Sequence, residues 1–210
     1  MKHRFKQQAH AEFAEWADTY DKSLLNYLLF EPAHALLLKE IRGLPAGRSL
    51  DIGCGTAELA MRLARRGWAT FGLDLCEPML LRAKAKINGH QAVHLAAGDS
   101  EHLPFPDAAF DIVICANSFH HYPNQQAVVC EMRRVLRPGG KVFIVDGWPD
   151  HGWGWILYEV IVTRIEGGDV WHRNSRDMQS LLAAAGFTTI SQKRHHGPFP
   201  LVLSSAAAPA

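Results

Sequence analysis

Apolar positions in the first 43 residues recur at helical spacing, with no strand-like alternation. Phe13, Trp16, Tyr20, Leu24 and Tyr27 follow one another at intervals of 3, 4, 4 and 3, which places them on one helical face. Glu31-Pro32 predicts the first turn of a second helix, because proline fits where no N–H is needed, and Gly43 predicts its end. Beyond residue 47 the period changes. Short apolar runs over 48–52, 68–74, 92–97, 110–115 and 141–146 read as strands, and the stretches 57–66, 78–87 and 125–136 between them read as helices. The run Phe110-Asp111-Ile112-Val113-Ile114-Cys115 is apolar enough for a sheet centre.

Strands that alternate with helices of about ten residues predict parallel βαβ units, hence an α/β fold with a doubly wound, mostly parallel sheet. Two more helices follow over 153–166 and 175–185, the second stopped by Gly186. Strand-like runs over 188–194 and 199–204 then predict an antiparallel edge hairpin. Ala206-Ala207-Ala208-Pro209-Ala210 reads as a frayed tail. The 210 residues suit one domain: a helical N-terminal cap over 1–43, a core over 48–146, and a substrate-side segment over 147–204.

Composition narrows the partners. The 22 Lys and Arg against 21 Asp and Glu leave a net charge of +1, which makes no electrostatic case for duplex nucleic acid or an anionic membrane. The most apolar stretch, 153–163, contains Glu159 and falls far short of the roughly 20 residues that span a bilayer. No apolar core of a signal peptide follows Met1. Cys54, Cys76, Cys115 and Cys130 form no C-x-x-C pair in a chain large enough to do without disulfides, so reduced thiols and a cytoplasmic location are expected. None of His151, His172, His195 and His196 stands in an i, i+4 helical pair or a C-x-x-C frame, so no metal site is expected. His151, His172, His195 and His196 read as solvated or tail-packing.

Candidate chemistry begins where the first strand turns into the first core helix, at Asp51-Ile52-Gly53-Cys54-Gly55-Thr56-Ala57-Glu58-Leu59. In doubly wound folds ligands bind at the carboxyl ends of strands, near the topological switch point. Gly53 and Gly55 remove Cβ atoms so that a ligand can approach the backbone, and the helix start offers N–H donors. Asp74 lies 19 residues after Gly55, at the end of the second strand, where a carboxylate can accept from ribose hydroxyls. A dinucleotide fingerprint would need glycine at position 58, where Glu58 stands, and an acidic residue precedes the glycines. Both departures oppose NAD.

LDIGCGTAELA, GLDLCEPML, GDSEHLPFPDAAFDIV, ANSFHHYPN and EMRRVLRPGGKVFIVD, in this order from Leu50 to Asp146, resemble the class I S-adenosylmethionine-dependent methyltransferases. Within that class the chain is similar to the small-molecule branch that includes the ubiquinone and menaquinone C-methyltransferases. The resemblance implies a Rossmann-like, seven-stranded sheet and S-adenosylmethionine as cofactor. It also implies roles. The Gly53-Cys54-Gly55 turn would hold the methionine part, and Asp51 would support its ammonium through water. Asp74 would take both ribose hydroxyls. Leu75 and Met79 would flank adenine, Met79 being equally suited to the core. Asp99 would accept from the adenine amino group and the Ser100 backbone would donate to the ring. The Asn117 backbone would touch the methionine end. Tyr20, within Ala17-Asp18-Thr19-Tyr20-Asp21, would close over the cofactor or serve as a core aromatic.

Methyl transfer is an in-line displacement, so the protein chiefly aligns the reactants and excludes water. A base is needed only where the acceptor must lose a proton. His120 and His121, after the fourth strand, and Asp146, at the end of the fifth, flank the expected methyl site as catalytic candidates, His120 foremost; the alternative is that they shape the pocket. The aromatic-rich segment from Gly147 to Tyr158 suggests a lid for an apolar acceptor, a core helix, or a dimer contact through the 153–166 helix.

The expected activity is methyl transfer to a small, partly apolar acceptor through C, O or N. Asn117-Ser118-Phe119-His120 stands where DNA amino-methylating enzymes carry Asn-Pro-Pro-aromatic, Cys115 lacks a preceding proline, and no basic tract tracks phosphates, so a nucleic-acid acceptor is not expected. A nicotinamide-dependent oxidoreductase and a non-catalytic cofactor-binding module are the alternatives.

Overall fold

The computed structural model describes residues 6, 11, 13–17, 19–22, 24–89, 92–165 and 170–210. Its sheet contains β1 (Arg48–Ile52), β2 (Ala69–Asp74), β3 (Val93–Ala97), β4 (Phe110–Ala116), β5 (Leu136–Gly147), β6 (Thr188–His195) and β7 (Leu201–Ala207). They lie in the order β3-β2-β1-β4-β5-β7-β6. The first five pair in parallel, and β7 runs antiparallel to both β5 and β6. The fold is therefore the Rossmann-like, doubly wound arrangement with an antiparallel edge.

Strand periodicity explains how both faces are covered. Along β4, Ile112 and Ile114 face a layer built by Leu37 and Ile41 of the cap and Leu59 and Leu63 of the first core helix. The alternate residues Val113 and Cys115 face Val128, Val129 and Met132, with Met178, Leu181 and Leu182 beyond them. Successive side chains on a strand point to opposite faces, so an unbroken apolar run is what a doubly covered strand requires. Each fully buried aliphatic side chain contributes about 1.5–3 kcal/mol. The helices are α1 (Leu24–Glu40), α2 (Glu58–Ala64), α3 (Glu77–Ile87) and α4 (Gln125–Val135), followed by a composite segment and then α7 (Ser175–Ala184). That segment comprises α5 (Gly152–Trp155), a π-helical stretch (Ile156–Val162) and α6 (Thr163–Ile165).

Three boundaries differ from the sequence expectation. Pro32 lies inside α1 instead of opening a helix. It removes one N–H from the ladder, so the Leu28 carbonyl loses that partner. Consequently the aromatic series does not form one buried face. Phe13 and Trp16 lie in a separate helical turn, Tyr20 in a 3-10 turn (Tyr20–Lys22), and Tyr27 is exposed. β5 starts at Leu136, not 141, because Leu136 pairs with Phe110 before an irregularity at Arg137-Pro138-Gly139-Gly140 and re-pairing at Lys141. The tail is not frayed: β7 runs to Ala207 opposite Lys141, and Ala206 and Ala208 are buried. Small side chains are what the packed end of the sheet admits there.

Candidate active site

The sheet order places β1 beside β4 with their outgoing connections on opposite faces, which is the switch point where a crevice opens at the carboxyl ends of the strands. A cavity of about 480 Å³ occupies it. Gly53 (φ 71°) and Gly55 (φ 52°) adopt left-handed backbone there. The Gly53 and Cys54 N–H groups donate to the Leu73 carbonyl at 2.8 and 3.1 Å, which ties the turn to β2. A Cβ on Gly53 would collide with the Ser118 hydroxyl and lie 2.7 Å from that of Tyr122, whereas one on Gly55 would enter open space at the cavity wall. Gly53 is thus needed by the protein's own packing, and Gly55 leaves room for a ligand.

Every cofactor residue expected from sequence lines this cavity: Tyr20, Asp51, Gly53, Cys54, Gly55, Asp74, Leu75, Met79, Asp99, Ser100 and Asn117. Asp74 Oδ2 accepts from the Gly55 N–H at 2.7 Å and Oδ1 from the Cys76 N–H at 2.8 Å. Asp51 is 2% exposed, and its Oδ2 has no hydrogen-bond partner among the described residues. Burial, reinforced by the neighbouring Asp74 charge, pushes its pKa up to about 8. Asp99 accepts from the Glu101 N–H at 3.0 Å and from Lys6 Nζ at 2.6 Å. Burial disfavours the Asp99 carboxylate, but the bonds from Lys6 and the Glu101 N–H outweigh it and hold its pKa below the ordinary value. Met79 does both things expected of it, packing with Ala17 and Cys76 while touching the cavity. Tyr20 stacks on Phe30 at 5.5 Å between ring centres. Asn117 sits at φ 50° with its side-chain Nδ2 buried and unpaired among the described residues. The Cys54 thiol is pushed well above its ordinary pKa by burial and by Asp74 and Asp51, so it is no nucleophile.

The two histidines separate into different positions. His121 lines the cavity, against Phe13 at 5.0 Å between ring centres, whereas His120 lies behind it. His120 Nδ1 and Asp146 Oδ1 are 2.6 Å apart, and the His120 N–H donates to Asp146 Oδ2 at 2.9 Å. Burial disfavours the Asp146 carboxylate, but the His120 charge and hydrogen bond prevail and hold its pKa below the ordinary value. The rings of His120 and His121 are 4.2 Å apart. Of the two, His121 and not His120 is among the residues that line the cavity.

Sequence reasoning missed the next shell. His172 is not solvated; it stacks on His120 at 4.6 Å and 21° and meets Tyr158 at 4.9 Å. No local spacing signalled this, since Trp171 is brought to His120 by a backbone bond of 2.8 Å across the fold. His120, Asp146 and His172 place potential ligand atoms within 4.8 Å of one another, a grouping not anticipated from sequence. Also missed were Thr56 and Lys86, which meet across the cavity rim (3.0 Å) although they are far apart in sequence.

The cavity is electronegative. Asp21, Glu31, Asp51, Glu58, Asp74 and Asp99 line it against Lys6, Arg62 and Lys86, and each of these cations is already paired with a carboxylate. Such a site suits a ligand that carries positive charge.

A methyltransferase domain family matches residues 50–144. Over 180 residues the chain is 32% identical to an uncharacterized methyltransferase of Synechocystis sp., covering 84% of each chain. It is also 32% identical to the demethylmenaquinone methyltransferase of Staphylococcus haemolyticus over 147 residues, 67% of this chain but only 61% of that one. The chain thus spans less than two thirds of the latter's length. In structure it resembles the phosphoethanolamine N-methyltransferase 2 of Haemonchus contortus, with a TM-score of 0.76, 18% identity, and coverage of 94% of this chain and 60% of that one. The chain belongs to the class I S-adenosylmethionine-dependent methyltransferases. Its cofactor is S-adenosylmethionine, and the oxidoreductase alternative has no support. The residues fit that cofactor: an unpartnered buried carboxylate oxygen on Asp51 and an excess of carboxylates suit a molecule with an ammonium and a sulfonium, and Gly55 leaves the wall open. No helix among the described residues is long and apolar enough to cross a membrane.

Proposed function

We propose that the chain methylates a small, partly apolar acceptor, with His121 as the catalytic residue and His120 and Asp146 positioning it. The observation that carries this reading is that His121 and the aromatic Phe13 share one cavity with the glycine turn, Asp74 and Asp99. When bound, S-adenosylmethionine supplies a methyl carbon activated by positive sulfur. Asp74 would hold the ribose hydroxyls and Asp99 would take the adenine amino group. The Gly53-Cys54-Gly55 turn, Asp51 and Asn117 would hold the methionine end, and Leu75, Met79, the Ser100 backbone and Tyr20 would surround the rest of the cofactor. Phe13 and the cap exclude water.

Burial, reinforced by the neighbouring His120, keeps the His121 pKa well below the ordinary histidine value, so its imidazole is unprotonated and ready to accept. A phenol, enol or hydroxyl acceptor would give its proton to a ring nitrogen of His121 as its oxygen or carbon bonds the methyl carbon and the methyl–sulfur bond breaks, the electron pair leaving on the sulfur of S-adenosylhomocysteine. The Asp146 charge, one residue removed through His120, stabilises the resulting imidazolium. We read cap, core and C-terminal segment as one functional unit that works in the cytoplasm, with the four cysteines free.

Calorimetric titration with S-adenosylmethionine, S-adenosylhomocysteine, NAD and NADP, followed by acceptor screening of quinols, phenols and amines for S-adenosylhomocysteine release, tests this reading. Binding of the sulfur cofactors alone and turnover on a neutral oxygen or carbon acceptor are expected. Turnover on polyanionic or nucleic-acid acceptors alone would overturn it.

A further inference from the structure

The N-terminal cap is fastened to the cofactor turn by one cation reaching across from α3. Thr56, the residue after Gly55, is 3% exposed and donates through Oγ1 to Asp21 Oδ1 at 2.7 Å. Lys86 Nζ, from the last turn of α3, donates to the same Thr56 oxygen at 3.0 Å and lies 3.0 Å from Asp21 Oδ2. The three side chains close a ring: the ammonium bridges hydroxyl and carboxylate, and the hydroxyl passes its own proton to the carboxylate. Glu58 Oε2, at 3.5 Å, is a fourth member. Asp21 adjoins Tyr20, and all of these residues line the cavity. Farther along the rim Arg62 repeats the device between Glu31 of α1 (2.7 Å) and Glu58 of α2 (3.0 Å).

Neither the acceptor nor the base chemistry uses these groups, and a solvated pair on the surface would be of little consequence. This ring is different, because the Thr56 hydroxyl is buried and belongs to the backbone turn that cradles the ligand. Separating Asp21 from Thr56 leaves a buried hydroxyl unmatched. We propose that Lys86 is a positioning residue for the cofactor: by holding Asp21 against Thr56 it latches the cap over the glycine turn and sets the rate at which S-adenosylhomocysteine leaves. The inference rests on the cofactor, not on the acceptor or on the role of His121.

The test is the dissociation rate of S-adenosylhomocysteine from the full chain, by stopped flow, in wild type, Lys86→Met, Lys86→Arg and Asp21→Asn. Lys86→Met and Asp21→Asn are expected to speed dissociation on the order of tenfold, the scale of a coupling between contacting charged groups. Lys86→Arg restores most of the wild-type rate. Added salt accelerates dissociation from the wild type but not from Lys86→Met, and chymotrypsin cleaves the ligand-saturated Lys86→Met variant faster at Tyr20. A folded Lys86→Met protein with wild-type rate and salt response overturns the latch. Should Lys86→Met not fold, Asp21→Asn decides, since Asp21 is exposed; a wild-type rate there overturns the proposal equally. Failure of the wild type to bind S-adenosylhomocysteine would instead overturn the cofactor.

Discussion

The N–H of Gly55 donates to Oδ2 of Asp74 across 2.7 Å, so the glycine turn and the end of β2 are one rigid unit built around a carboxylate. In the proposed function the same oxygen pair also takes the ribose. Asp74→Ala is therefore expected to weaken S-adenosylmethionine binding by at least about 1 kcal/mol, the scale of a charge-assisted hydrogen bond. Calorimetry on the folded variant checks it, and unchanged affinity would remove Asp74 from the cofactor site.

Asp51 is expected to couple cofactor binding to protons. Its pKa of about 8 lies above the ordinary carboxylate value, so at pH 7 the apo group is largely protonated. A cationic ligand favours the carboxylate, so binding near neutrality releases a proton and tightens as pH rises toward about 8. In the apo protein the same raised pKa works the other way: the stability tied to protonated Asp51 is lost as pH rises from the unfolded value, about 4, through about 8. Calorimetry in buffers of different ionisation enthalpy measures the released proton, and Asp51→Asn is expected to abolish it.

His121 and His120 are expected to differ. Removing a general base costs about 10²–10⁴-fold in turnover. His121→Ala should show a loss of that size with cofactor affinity within a few-fold of wild type. His120→Ala should lose less turnover and more stability, because it removes the imidazole partner of the buried Asp146. The comparison is made by initial rates on the acceptor found by screening, alongside urea unfolding. Equal turnover in wild type and His121→Ala would sink the base assignment.

Acid stability reports the buried imidazoles. Burial, then the proximity of His120, depresses the His172 pKa to about 3, and burial, then Arg62, depresses that of His34 to about 4. For a base whose folded pKa lies below its unfolded value of about 6.5, the contribution to stability is present above 6.5 and is lost as pH falls toward the folded value. Tm is therefore expected to fall from pH 6.5 toward pH 4. His172→Phe, which keeps a ring stacked on His120, should flatten that slope; an unchanged slope would show that His172 does not contribute.

Gly53 is constrained twice, by φ 71° and by the Ser118 and Tyr122 hydroxyls where a Cβ would stand. Gly53→Ala is expected to cost more than the roughly 1 kcal/mol of backbone strain alone, read as a lowered urea midpoint. Gly55→Ala, facing open space, should cost less stability and weaken cofactor binding instead.

The sequence by itself determined what short-range chemistry determines. The alternation of apolar strands and helices set the parallel core, and the glycine turn with an acid 19 residues on marked the cofactor crevice, because backbone freedom and strand ends are local properties. Only the tertiary structure decided which histidine meets the cavity: adjacent residues in a 3-10 turn diverge, and the pull of Asp146 on His120 leaves His121 in the wall. Packing likewise carried α1 through Pro32 and drew the alanine tail into the sheet beside β5. His172 behind His120, and Lys86 between Thr56 and Asp21, are contacts between distant segments with no periodicity of their own. They exist only because the β1–β4 switch point and the cap bring those segments to the same end of the sheet.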